Sequence, residues 1–166
     1  MNTCIAYYSK VGNTAIAAEY LAEKIGAKAI RLEDPTKYKG VVGFIKGGMN
    51  ASRTKSASLN SDVFEEIAKH ERIVLATPVW ASKTTPAINA VLENVDFTGK
   101  EVYVMTTQAD PEFKDADKRR RFYEEAIGAK GGKFAALFSL CGNPPGKPPK
   151  AKAELTRQVD ETVKIG

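Results

Sequence analysis

The chain has 166 residues, 43% of them hydrophobic and 27% charged. That content supports a single well-cored domain over residues 1–166 and argues against disorder. No run approaches the roughly 18 apolar residues a membrane helix needs. No basic segment leads into an apolar stretch at the N-terminus, so no signal peptide is read and a cytoplasmic protein is expected.

The net charge is +5 and the pI about 9.1, which raises nucleic acid or an acidic protein as partner. The charge is spread along the chain, and acids flank the arginines of its densest run, "DKRRRFYEE", residues 117–125. A solvated helix face explains that run better than a groove tracking phosphates. Cys4 and Cys141 each lie inside an apolar run and read as buried thiols. With the single His70 they fall short of the four or so ligands zinc takes, so no metal site is expected. His70, in "KHER", reads as the exposed end of a helix.

Residues 2–8, "NTCIAYY", predict a first strand. Residues 14–25 place Ala17, Tyr20 or Leu21, and Ile25 at helical spacing, and Gly26 stands where a helix C-terminus wants a glycine. Residues 28–33 alternate and predict a short second strand. Within residues 38–60, "YKGVVGFIKGGMNA" fits a glycine-weakened helix and "SRTKSASLNS" reads as a polar loop. Asp62 and Glu65 resemble a capping box ahead of Val63, Phe64, Ile67 and Ala68. "RIVLAT", residues 72–77, predicts a fully buried strand. Thr85 before Pro86 predicts the start of a helix whose apolar face is Ile88, Val91, Leu92 and Val95. Residues 100–107 predict the fourth strand. Asp115 opens and Gly128 closes a helix carrying Phe122, Ala126 and Ile127. Residues 133–141 predict the fifth strand. "GNPPGKPPK", residues 142–150, cannot be helical and reads as a stiff connector. Leu155, Val159 and Val163 mark a last amphipathic helix.

Five alternations of apolar strand and helix imply an α/β three-layer sandwich: a five-stranded parallel sheet with helices on both faces. Such units wind in the order 2-1-3-4-5, and ligands sit beyond the strand carboxyl ends where the winding reverses. Three segments meet there: "SKVGNT" after strand 1, "PVWASKTTP" after strand 3 and "TQADPEF" after strand 4. In the first, a helix starting near Asn13 or Thr14 aims unpaired N–H groups and a partial positive charge at the loop. Gly12 permits a tight turn, Ser9 and Thr14 offer hydroxyls, and Asn13 offers an amide. This is the composition of a phosphate nest. The glycine–lysine–serine/threonine ending of a triphosphate loop is missing, as are the three glycines of a dinucleotide turn. A single phosphate monoester on a small cofactor suits it. Alone, the six residues fit a capped polar loop equally well. Trp80, the only tryptophan, follows a buried strand at the expected ligand mouth. There it can stack on a flat ring, against the plainer reading of core packing.

Residues Ser9, Lys10, Val11, Gly12, Asn13 and Thr14 resemble the phosphate loop of the flavodoxin family. "TPVWASKTTPAINAVLE" looks like the flavin-flanking segment of a microbial flavodoxin-like group. The resemblance implies bound FMN. Its phosphate would lie on residues 9–14. Its ring would lie between Pro78, Val79, Trp80, Ala81, Ser82 and Lys83 and Thr107, Gln108, Ala109 and Asp110. Two departures stand out. Val11 replaces a common hydroxyl residue, and "TQADPEF" lacks the usual glycine-rich or tyrosine-bearing form. Tyr38 and Phe113 are both candidates for the second ring face.

The resemblance implies a low-potential carrier of single electrons between redox proteins, with no catalytic residue. The basic surface implies acidic redox partners, such as ferredoxin-like donors or flavoprotein and iron-sulfur acceptors. A monomer or weak dimer is expected, with no nucleic acid and no membrane bound. With Lys10 and Lys83 near the cofactor, the fully reduced couple is expected to be less negative than in acidic relatives. The alternative is an FMN-dependent NAD(P)H:quinone reductase built on the same loops. A phosphoacceptor signalling domain would need carboxylates after strand 1, where this chain has Tyr-Tyr-Ser-Lys.

Overall fold

The computed structural model describes residues 1–35, 56–81 and 83–166. Most of the ambiguous 38–60 stretch, Tyr38 included, and Ser82 lie outside the described residues. The elements run β1 (Thr3–Tyr7), α1 (Asn13–Ile25), β2 (Lys28–Arg31), α2 (Ser61–Ala68), β3 (Arg72–Pro78), α3 (Pro86–Asn94), β4 (Glu101–Gln108), α4 (Ala116–Gly128), β5 (Lys133–Cys141) and α5 (Lys152–Thr162). The five strands form one parallel sheet in the order β2-β1-β3-β4-β5, as the alternation predicts.

Successive strand side chains point to opposite faces, so a central strand buried on both sides must be apolar throughout. Cys4 and Ala6 of β1, Ile73 and Leu75 of β3, and Val102 and Val104 of β4 enter one core layer. Ile67 of α2, Ile88 and Val91 of α3, and Tyr123 and Ile127 of α4 cover it. Their alternates, Ile5, Tyr7, Val74, Ala76, Tyr103 and Met105, form the other layer under Ala17, Ala18 and Leu21 of α1 and Val159 of α5. Burying each Leu or Ile this way stabilises by about 1.5–3 kcal/mol.

Register aligns the carboxyl ends of the central strands. Tyr7 pairs with Ala76, Thr77 with Thr106, and Pro78 with Thr107. The loops that follow β1, β3 and β4 therefore leave one edge side by side.

Local signals hold with some shifts. Gly26 caps α1 in the left-handed region, φ 64°, donating to Ala22 and Glu23 carbonyls. The α2 cap is Asn60, whose side chain accepts from Asp62 N–H, so the Asp62–Glu65 capping box gives way to an asparagine two positions earlier. Thr85 precedes α3 as expected, but its hydroxyl lies 3.0 Å from that of Thr77 instead of capping the helix. His70 is a correction: it is buried, with Nδ1 3.0 Å from the Glu66 carbonyl. His70 N–H bonds the Ile67 carbonyl, closing a turn at the end of α2. Lys100 supports the turn by donating to the carbonyls of Ala68 and His70. Cys4 is buried, but Cys141 is only half-buried, because β5 is the sheet edge.

Candidate functional site

Past β1, Tyr8 N–H still bonds the Ala76 carbonyl, and the chain then leaves the sheet. Gly12 sits at φ 112°, where an L side chain is strained, and its N–H donates to Ser9 Oγ at 3.2 Å. Helix α1 begins at once, with Ile16 N–H bonding the Gly12 carbonyl. Among the described residues no side chain caps this end. The first-turn N–H groups and the dipole they terminate therefore remain for an anion. The Thr14 hydroxyl is buried, 2.7 Å from the Thr107 hydroxyl. That pair ties the first loop to the end of β4.

After β3 the chain makes a tight reversal. Trp80 N–H bonds the Lys83 carbonyl at 3.0 Å and Lys83 N–H returns to the Trp80 carbonyl at 2.9 Å. Ala81 takes a positive φ of 48° at the tip. Trp80 is only 4% exposed. Its ring meets the edge of Tyr8 with centroids 5.5 Å apart, and the Lys10 ammonium lies 5.8 Å from its centroid. The indole is thus a core side chain that also lines the cleft. Burial lowers the Lys10 pKa.

At the end of β4, the Gln108 side chain is held at both ends. Its oxygen accepts from Arg119 Nη2 at 2.6 Å, and its nitrogen donates to the Asp110 carbonyl. Arg119 is 3% exposed and also donates to the Lys114 carbonyl. The arginine run is therefore not uniformly solvated: Lys118, Arg120 and Arg121 are exposed, while Arg119 turns inward. The Asp110 carboxylate accepts from the N–H groups of Lys114 and Glu112, which hold its pKa below the usual range. It organises its own loop.

These segments surround a cleft of about 50 Å³ that opens to solvent. Ser9, Lys10, Val11, Asn13 and Thr14 line it from the first loop. Pro78, Val79 and Trp80 line it from the second, and Thr107, Gln108 and Ala109 from the third. Gly12 shapes the turn without lining the cleft. Ala81, Lys83, Asp110 and Phe113 lie outside its lining, and Ser82 is outside the described residues. A fourth segment was not anticipated: Asn143 and Pro145, from the loop after β5, also form a wall. The "NPP" sequence signals stiffness but gives no chemical sign of a site. Among the described residues no group of three His, Cys, Asp or Glu could hold a metal ion. No helix among them is long and apolar enough to cross a membrane.

The parallel sheet, the switch-point cleft and the helix that opens at Gly12 define a flavodoxin-like fold. A flavodoxin family model matches residues 2–137, and the chain belongs to the flavodoxin family. No curated protein sequence matches it. Among solved structures, a protein from Bacteroides uniformis with a provisional flavoprotein assignment superposes with a TM-score of 0.68. It is 20% identical, covering 96% of this chain and 97% of that one. A Lactobacillus acidophilus flavoprotein in complex with FMN gives 0.65 at 18% identity, over 83% and 91%. An NAD(P)H:quinone oxidoreductase from Methanothermobacter marburgensis gives 0.61 at 15% identity, over 95% and 92%.

Proposed function

We propose that this chain binds FMN and passes single electrons between redox proteins in the cytoplasm. One observation bears most of the weight: the left-handed Gly12 opens helix α1 into a cleft shared by the Thr14–Thr107 hydroxyl pair and Trp80. The residues present fit the cofactor. Ser9 and Thr14 hydroxyls and the first-turn N–H groups of α1 suit a phosphate monoester. Trp80 lines the same cleft as this loop, which puts an aromatic surface within reach of a ring carried by that phosphate. Stacking on the indole requires the Lys10 side chain to swing from it.

Bound flavin supplies the electron chemistry, accepting and releasing electrons one at a time. The protein's part is to hold the phosphate, orient the ring and set its electrostatics. No side chain need act as acid or base. The free thiols Cys4 and Cys141 accord with a reducing compartment.

Purified protein is expected to be yellow, and mass spectrometry of the released chromophore to give FMN. Apoprotein should quench added FMN fluorescence and lose Trp80 emission as it does so. Colourless protein that leaves FMN fluorescence unchanged overturns the proposal. The fold is shared with a quinone oxidoreductase, so NADH or NADPH is the discriminating reagent. Slow or absent bleaching by either supports the carrier, and rapid bleaching supports the reductase.

A further inference from the structure

Arg119 belongs to a closed circuit of hydrogen bonds behind the third loop of the cleft. The Gln108 amide nitrogen donates to the Asp110 carbonyl at 3.3 Å. The Asp110 carboxylate accepts from Lys114 N–H at 2.9 Å. The Lys114 carbonyl accepts from Arg119 Nη1 at 2.9 Å, and Arg119 Nη2 returns to Gln108 Oε1 at 2.6 Å. Two non-glycine residues of this loop, Phe113 and Asp115, sit at positive φ, 50° and 62°. Such conformations persist only where their surroundings enforce them. The circuit leaves the Gln108 amide no choice of orientation. A guanidinium only donates, so the amide must turn its oxygen to Arg119 and its nitrogen away. One N–H of that nitrogen serves the Asp110 carbonyl, and the other is left for a ligand. Gln108 lines the cleft between Thr107 and Ala109. The cleft therefore presents a hydrogen-bond donor at this point. Behind it, the buried guanidinium bonds only neutral oxygens and polarises the amide further.

We infer that Arg119 is a positioning residue that fixes Gln108 as a donor to the cleft, and that this donor favours the reduced flavin over the oxidised one. The inference rests on the FMN reading and adds how the protein sets the electron affinity of its cofactor. Reduction places electron density on the polar atoms of the flavin, and a fixed N–H binds those atoms more strongly as the density rises. A bond that is stronger in one redox state shifts the potential, whereas a bond equal in both only tightens binding. Turned the other way, the amide would set its oxygen against the same density and oppose reduction. Arg119 lies outside the cleft lining, so it acts through Gln108.

The test is spectroelectrochemical titration of FMN-loaded protein, wild type against Gln108→Met and Arg119→Lys, with calorimetric titration of each flavin-free protein by oxidised FMN. Gln108→Met keeps the side-chain length and removes the donor. Arg119→Lys keeps the charge and loses the two-armed grip. Each variant is expected to lose about tenfold in its preference for fully reduced flavin over the state one electron above it, which lowers that couple by about 59 mV. Affinity for oxidised FMN should change little. A purely structural role would weaken both redox states together and leave the potential where it was. An unchanged potential in Gln108→Met overturns the donor. An unchanged potential in Arg119→Lys returns the effect to charge alone and overturns the positioning. In both cases the FMN reading survives. Gln108→Met decides the matter if Arg119→Lys fails to fold. Failure of the wild type to bind FMN in any redox state removes the FMN reading and this inference with it.

Discussion

Gly12 concentrates the conflict between side chain and backbone at one position. Its φ of 112° disfavours any L residue, and a methyl group would press on Pro149 at 3.3 Å. Gly12→Ala is expected to destabilise the fold by about 1–3 kcal/mol and to weaken FMN binding as well. Urea unfolding and FMN titration measure the two effects, and a variant as stable as wild type would contradict the strain. Arg119 makes a second case. Its charge is buried against neutral acceptors, Gln108 Oε1 and the Lys114 carbonyl, and its Nε finds no acceptor among the described residues. Arg119→Ala strands both oxygens, at a cost of about 2–3 kcal/mol, and frees the Gln108 amide in the cleft. Arg119→Lys should recover little, because an ammonium does not reproduce the guanidinium fork. Full recovery by lysine would reduce the interaction to simple charge.

At the scale of elements, α2 is fastened to the edge strand β2 through charge. Glu66 bonds Lys28 of β2 and its own neighbour Lys69, and these pairs hold its carboxyl at about 2, below the ordinary 4.5. A folded value below the unfolded one means that the contribution exists above pH 4.5 and is lost as pH falls toward 2. Glu66→Gln should therefore be less stable than wild type at pH 6, with the gap closing through that window. A gap independent of pH would assign the difference to packing. The same helix marks where local signals stop being decisive. Asn60 and Asp62 are both competent caps, and only the path of the incoming chain chooses between them. His70 carries no mark of burial either, because the turn that holds it is tied by Lys100, thirty residues further along and just ahead of β4.

For the whole molecule, the net charge of +5 predicts that electron transfer to an acidic redox protein slows as salt rises. Stopped-flow rates between 0.01 and 0.5 M ionic strength, across which the Debye length shrinks from about 30 Å to a few ångströms, should fall steeply. Rates indifferent to salt with every acidic partner would remove charge from the docking step. The sheet order was legible because apolar strands spaced by helices leave few topologies, and three of the four cleft segments followed from it. The fourth did not. Strand order places β5 at the sheet edge, away from the winding reversal, and nothing in "GNPPGKPPK" says that it doubles back over Asn13. Arg119 was hidden for a related reason: four neighbouring basic residues look alike in sequence, and the angular position of one on α4 separates it from the others.

The Asn13 amide donates to the Asn143 carbonyl across 130 residues of sequence, which has a bearing on biosynthesis. During translation the nest around Gly12 emerges early, but its far wall does not exist until residue 150 has left the ribosome. Pigment loading should accordingly be a late event, following release of the polypeptide and not accompanying its growth. Stalled nascent chains halted before the proline segment should emerge colourless even when flavin is abundant.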